Sequence, residues 1–192
     1  MTEPTVLIVF HSVHGQTARV AQHLATTMRV AGASVDVSSI EVAPAPDPYD
    51  VVVIGDALHA VHYGRELRTY VRRHAQTLNA KPSGLFQLSL TSIRTDDGHT
   101  RAARAAMDVF LDITGFEPSR IALFAGALPY SRYNWFIRWI MTKIVRREGG
   151  DTDTTQDYEY TDWNAVDSFA HELLDLANLS HRGATGHVEL DG

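Results

Sequence analysis

The stretch Thr5–Leu24, TVLIVFHSVHGQTARVAQHL, decides the fold. Thr5–Phe10 is a near-continuous apolar, β-branched run, which reads as a strand covered on both faces of a parallel sheet. It breaks at His11-Ser12-Val13-His14-Gly15-Gln16-Thr17, a short loop of hydroxyls, imidazoles and one glycine. Behind the loop, Val20, Leu24 and Met28 recur at helical spacing with Ala21 and Ala25. Strand, hydroxyl-bearing loop and helix start make an anion cradle, because backbone N–H groups and the helix dipole point at one spot. Ser12 and Thr17 can add donors without adding charge. Neither G-x-x-x-x-G-K-[ST] nor G-x-G-x-x-G occurs here, so two better-known phosphate loops are excluded.

Working outward, Val35–Ile40 reads as a second strand, and Pro44, Pro46 and Pro48 rule out regular structure after it. Asp50–Gly55 is a third strand, followed by a loop over Asp56–Gly64. A helix over Arg65–Leu78 turns Leu67, Tyr70, Val71, His74 and Leu78 inward. Gly84–Leu90 is a fourth strand, Thr91–His99 a polar loop, and Thr100–Thr114 a helix stopped by Gly115, with Ala103, Met107, Phe110 and Leu111 on its apolar face. Arg120–Gly126 is a fifth strand, and Asp162–Ala177 a last helix with Val166, Phe169, Leu173 and Leu176 inward. Strands alternating with helices predict an α/β, doubly wound parallel sheet of five strands in the flavodoxin-like order 2-1-3-4-5. The expected organisation is one domain over residues 1–177, with an insertion at 127–161 and a flexible tail at 178–192.

In that fold ligands bind at the carboxyl ends of strands 1, 3 and 4. The loops there are 11–17, 56–64 and 91–99. The candidate cofactor-binding residues are therefore His11, Ser12, Val13, His14, Gly15, Gln16 and Thr17 in the first loop. Ala57, Leu58, His59 and Tyr63 follow in the second, and Leu90, Thr91 and Ser92 in the third. Tyr63 or an imidazole could lie against a planar ring, while a half-buried packing role for Tyr63 is the alternative. His11, His14, His59 and His62 lie on two loops without the tight spacing of a zinc motif, so no metal site is expected.

Composition narrows the class. The 192 residues are 44% hydrophobic and 21% charged, as in soluble globular domains. A net charge of −6 argues against general nucleic-acid binding. Without cysteine there is no disulfide, thiolate metal site or cysteine nucleophile, so redox chemistry must belong to a bound cofactor. The start MTEPTVLIVF has no basic region, and no run of 18 apolar residues occurs. The expectation is a cytoplasmic location, with a peripheral place on the inner face of the cell membrane as the option left open.

The segment Ala127–Thr161 is far longer than an ordinary βα loop. Its first half carries Arg132, Arg138, Lys143, Arg146 and Arg147 among Tyr130, Tyr133, Trp135, Phe136 and Trp139. Apolar residues 136, 137, 140, 141, 144 and 145 follow a helical face. Such a basic, aromatic, amphipathic helix suits a membrane interface, with peripheral contact through 130–147. Packing on its own domain, or on a second copy in a homo-oligomer, explains the apolar face equally well.

Two resemblances follow from these residues. Ser12-Val13-His14-Gly15-Gln16-Thr17 resembles the flavodoxin phosphate loop [ST]-x-T-G-x-T, with His14 at the middle position. The block GALPYSRYNWFIRWIMTKIVRREGGDTDT, then YTDW at 160–163, resembles the insertion of the flavodoxin-type, menaquinone-dependent protoporphyrinogen IX dehydrogenases. HGQT at 14–17, YDVVVIG at 49–55, HY at 62–63 and RRHAQTLNAKPSG at 72–84 also look shared. The resemblance runs from about Val6 to Ala177. It implies noncovalent FMN, oxidation of a porphyrinogen by six electrons, and a membrane quinone as acceptor. No catalytic side chain is singled out; His59, His62 or solvent could accept the protons. Departures from the family pattern are His11, His14, Asp56 and the run His59-Ala60-Val61. A flavodoxin-like electron carrier, a deazaflavin-binding protein and a flavin-binding module without turnover are the competing readings.

Overall fold

The strand Thr5–Phe10 (β1) lies at the centre of the molecule with a parallel neighbour on each side. The computed structural model of the chain describes residues 3–13, 15–57, 63–89, 97–125, 127–128 and 158–185. Ser34–Ser39 (β2) pairs from Thr5↔Ser34 to Phe10↔Ser39, and Val51–Ala57 (β3) from Val6↔Val51 to Phe10↔Gly55. Ser83–Ser89 (β4) and Arg120–Ala125 (β5) complete a parallel sheet in the order β2-β1-β3-β4-β5. This is the doubly wound order expected from the alternation of elements.

Both faces of β1 are covered, which is why its sequence is apolar without alternation. Val6 and Ile8 join a core with Gln16–Val30 (α1) and Trp163–Thr185 (α4). Leu7 and Val9 face the other way, into a core with Arg65–Asn79 (α2) and Asp97–Thr114 (α3). The helical stripes read from sequence are largely those buried: Leu67, Val71 and Leu78 on α2, Ala103, Met107 and Phe110 on α3, and Val166, Phe169 and Leu173 on α4. Tyr70, His74, Leu111 and Leu176 are half-buried at the margins.

Several boundaries differ from expectation for physical reasons. β2 ends at Ser39, and Ile40 opens a short 3₁₀ turn through Val42. β3 runs two residues beyond Gly55, because Asp56 and Ala57 pair with Gln87 and Leu88 of β4. α3 begins at Asp97, inside the expected loop, and α4 continues past Ala177 to Thr185. The insertion leaves and returns through a small antiparallel ladder, Ala127–Leu128 (β6) with Tyr158–Glu159 (β7). The amphipathic helix expected within 130–147 lies outside the described residues.

The motif YTDW marks the return from the insertion. The Thr161 hydroxyl donates to the Ala125 carbonyl at the end of β5, 3.0 Å, and accepts from the Gln16 side-chain amide, 3.0 Å. Asp162 Oδ1 accepts the amides of Asn164 and Ala165 at 3.0 and 3.2 Å, capping α4. Trp163 packs its ring against His23, 4.6 Å between centroids, and under the Arg19 guanidinium at 5.5 Å. The root of the insertion is thus tied to the first residue of α1, at the carboxyl edge of the sheet.

Candidate functional site

The first loop turns from β1 into α1 through Gly15, whose φ of +91° is a left-handed conformation that favours glycine. The Ser12 Oγ accepts the Gly15 amide at 3.1 Å and the Ala18 amide at 3.4 Å, which folds the loop over the start of the helix. No acidic residue occupies the first turn of α1. Val13 is 57% exposed at the loop's crest. Thr17 is buried to 1% exposure, and its hydroxyl has no hydrogen-bond partner among the described residues. A helix start with neutral hydroxyls and no carboxylate in its first turn suits a phosphate, which would gain from the positive end of the helix dipole. His14, also expected here, lies outside the described residues.

The second loop is rooted differently. Asp56, at the end of β3, is completely buried. Its Oδ1 accepts the Ala57 amide at 2.7 Å and the His11 Nδ1–H at 2.9 Å, while Oδ2 accepts the Gly64 amide at 2.9 Å. One carboxylate therefore gathers both ends of the loop 58–62 and the imidazole that precedes the phosphate loop. Gly64 is required by close approach: a Cβ there would lie 2.9 Å from His11 Nδ1. Burial pushes the Asp56 carboxyl above the usual carboxylate range, against the opposing pull of the Gly64 amide and His11. The two family departures His11 and Asp56 are thus a single bonded unit.

Tyr63 takes the packing position that the sequence left as its alternative. It is 5% exposed, its ring stacks on Phe110 at 4.1 Å between centroids, and its hydroxyl donates to Gln87 Oε1. Its ring is thus part of the α2–α3 core. Burial raises its phenol strongly, so it stays protonated. Leu58, His59, Leu90, Thr91 and Ser92 lie outside the described residues, as does His62. The structure brings together His11, Ser12, Gly15, Gln16, Thr17 and Ala57 at one edge and adds Asp56 and Thr161, which sequence reasoning had not put among the site residues. The signal for Asp56 was present: a carboxylate directly following an apolar strand, in VVVIGD. Among the described residues, no set of three or more His, Asp or Glu is gathered for a metal. No helix among them is long and apolar enough to cross a membrane.

A 2-1-3-4-5 parallel sheet with a hydroxyl-bearing loop between β1 and α1 is the arrangement of a flavodoxin-type domain. The flavodoxin domain family matches residues 7–155. The solved flavodoxin of Streptococcus pneumoniae TIGR4 is 18% identical with a TM-score of 0.56, covering 89% of this chain and 98% of its own. A short-chain flavodoxin associated with a bacterial microcompartment is 13% identical with a TM-score of 0.60, covering 91% and 99%. Nearer in sequence is the protoporphyrinogen IX dehydrogenase (quinone) of Escherichia coli strain K12, 34% identical over 174 residues, 90% of this chain and 96% of that protein. The enzyme of the same name from Leishmania major is 32% identical over 177 residues, 90% of this chain and 76% of that protein. The chain belongs to the flavodoxin-domain family and, within it, to the family of these dehydrogenases.

Proposed function

We propose that the protein is an FMN-dependent oxidoreductase that takes electrons from a porphyrinogen and passes them to a quinone. The observation that carries this reading is the likeness to quinone-dependent protoporphyrinogen IX dehydrogenases over 90% of the chain, joined to a hydroxyl-bearing turn at the start of α1. Ser12, Gly15, Gln16 and Thr17 would hold the FMN phosphate, with Ala57 at the side of the ring system. The flavin, when bound, would supply the two-electron chemistry. The chain's own task is to fix the phosphate, hold the second loop through Asp56, and keep both loops in register through His11. Protons leaving the substrate pass to solvent or to His59 or His62.

Denatured protein should release a yellow cofactor with the mass of FMN, and anaerobic titration with protoporphyrinogen should bleach the bound flavin. Recovery of no flavin, with no uptake of added FMN at micromolar level, overturns the reading. Thr17→Ala removes one charge-assisted hydrogen bond, worth roughly 1.5–3 kcal/mol, or about 10- to 150-fold in FMN affinity. An affinity unchanged within about threefold would put the phosphate elsewhere.

The insertion supplies the membrane side of the proposal. Each interfacial Lys or Arg contributes on the order of 1 kcal/mol at an anionic surface. Replacing Arg138, Arg146 and Arg147 with Glu should weaken liposome binding and quinone-coupled turnover while flavin content stays intact. A variant that loses its flavin or aggregates would show the segment to be structural.

A further inference from the structure

The helix α2 is basic within an acidic chain: Arg65, Arg68, Arg72 and Arg73 against the single carboxylate Glu66. Arg65, Arg68 and Arg72 stand at helical spacing on one side and line a groove of about 240 Å³. Thr69 of α2 and Ile113 and Thr114 of α3 complete its walls. The α3 carboxylates Asp108 and Asp112 do not line it, and no carboxylate among the described residues pairs with any of the three arginines. Like charges three and four residues apart repel, at a cost of a few tenths of a kcal/mol per pair. A second observation points the same way. Arg68 Nε is shut off from solvent and has no acceptor, an unusual state for a guanidinium nitrogen.

We propose that the groove between α2 and α3 is an oxyanion site that binds a carboxylate- or phosphate-bearing small molecule. The guanidinium of Arg68 forks onto the oxyanion from its outer nitrogens, with Arg72 beside it and Arg65 at the mouth. Planar guanidinium groups suit this task because they offer paired donors to paired oxygens. Occupancy relieves the repulsion along α2 and lets Arg68 settle where Nε also finds an acceptor. Thr69 and Thr114 give their hydroxyl protons to the Arg65 and Phe110 carbonyls, so the arginines supply the donors, and Ile113, 48% exposed, gives the ligand's carbon skeleton an apolar rest. The site is independent of the flavin reading, since none of these residues belongs to the phosphate loop.

The test is an NMR titration of the purified full-length protein, following the Arg68 Nε–Hε resonance. Inorganic phosphate and citrate are added in separate arms, against chloride at equal ionic strength. Phosphate or citrate should move the Arg68 signal with half-saturation at about 1 mM, as expected for a few charge-assisted hydrogen bonds on a half-open surface. The tighter of the two identifies the ligand as phosphate- or carboxylate-bearing. Arg72→Gln should weaken binding about tenfold, read from the same resonance. Arg68→Lys keeps the charge but loses the fork, and should abolish the thermal shift produced by the better anion. No movement up to about 20 mM, an equal response to chloride, or unchanged binding by Arg68→Lys would each overturn the proposal.

Discussion

The two helix pairs that cover the sheet are finished in opposite ways. On the α1–α4 side three arginines have partners: Arg19 lies over Trp163, Arg29 donates to the Val35 carbonyl, and Arg120 on β5 pairs with Glu172 at 3.0 Å. The seam itself is pinned by Asp167, whose Oδ1 accepts from the Thr27 hydroxyl at 2.6 Å and pairs with His23 Nε2 at 2.9 Å. On the α2–α3 side the apolar core is as well buried, yet three arginines on its rim stand without carboxylates. Identical packing physics serves both faces, so core burial does not separate them. The difference lies in polar groups: one face has closed its hydrogen-bonding account internally, and the other leaves donors open toward something that binds.

The largest effect should come from breaking the closed face. Phe169 of α4 is 5% exposed and meets Phe124 edge-on at 5.9 Å between centroids. Phe169→Ala deletes a buried aromatic ring and should cost about 3–5 kcal/mol. Chemical denaturation would show this as a lower midpoint with little change in slope. If the closed face is purely architectural, the folded fraction of this variant should still answer phosphate at Arg68 as the wild type does.

A smaller effect is expected at the unit of His11, Asp56 and Gly64, where the open face meets the ligand edge. Removing a hydrogen-bond partner from a buried carboxylate costs about 1–3 kcal/mol. His11→Ala should therefore destabilise by that amount, because Asp56 keeps its two backbone amides but loses the imidazole. Asp56→Ala loses all three contacts and should also raise hydrogen exchange at the Gly64 amide. The double variant His11→Ala/Asp56→Ala should cost less than the sum, since no buried carboxylate is left short of a donor. Strict additivity would show that the two residues act separately.

How legible all this was depends on which forces speak locally. The order of five strands and the inward stripes were readable because apolar runs covered on both faces, and helical repeats of Leu, Val and Phe, follow from burial alone. The turn from β1 into α1 was readable from Ser12 and Gly15, whose geometry is local. Asp56 was readable as a departure but not as a partner of His11, because the two lie 45 residues apart and meet only when β1 and β3 pair. Tyr63 was left between a ring partner and a packing residue because period and type cannot say that Phe110, on another helix, stacks on it. The ladder of β6 and β7 was invisible, since two-residue strands separated by some thirty residues carry no pattern.

The smallest effect should be one of pH, at the closed seam. The Thr27 hydroxyl, and after it His23, hold the Asp167 carboxyl below its ordinary value against a slight opposing effect of burial. A carboxyl depressed in the folded state contributes stability that is fully present above its unfolded value of about 3.9. That contribution is lost as pH falls through the lower folded value, where the carboxylate takes up a proton and releases its donors. Asp167 is 41% exposed, so the contribution is that of a surface pair, about 0–1 kcal/mol. Melting temperatures of wild type and Asp167→Asn should therefore differ slightly at pH 6 and converge as the pH drops below about 4. A gap that persists or widens in acid would mean that the seam is held by something other than the ionised carboxylate, and the contrast between the two faces would then rest on the arginines alone.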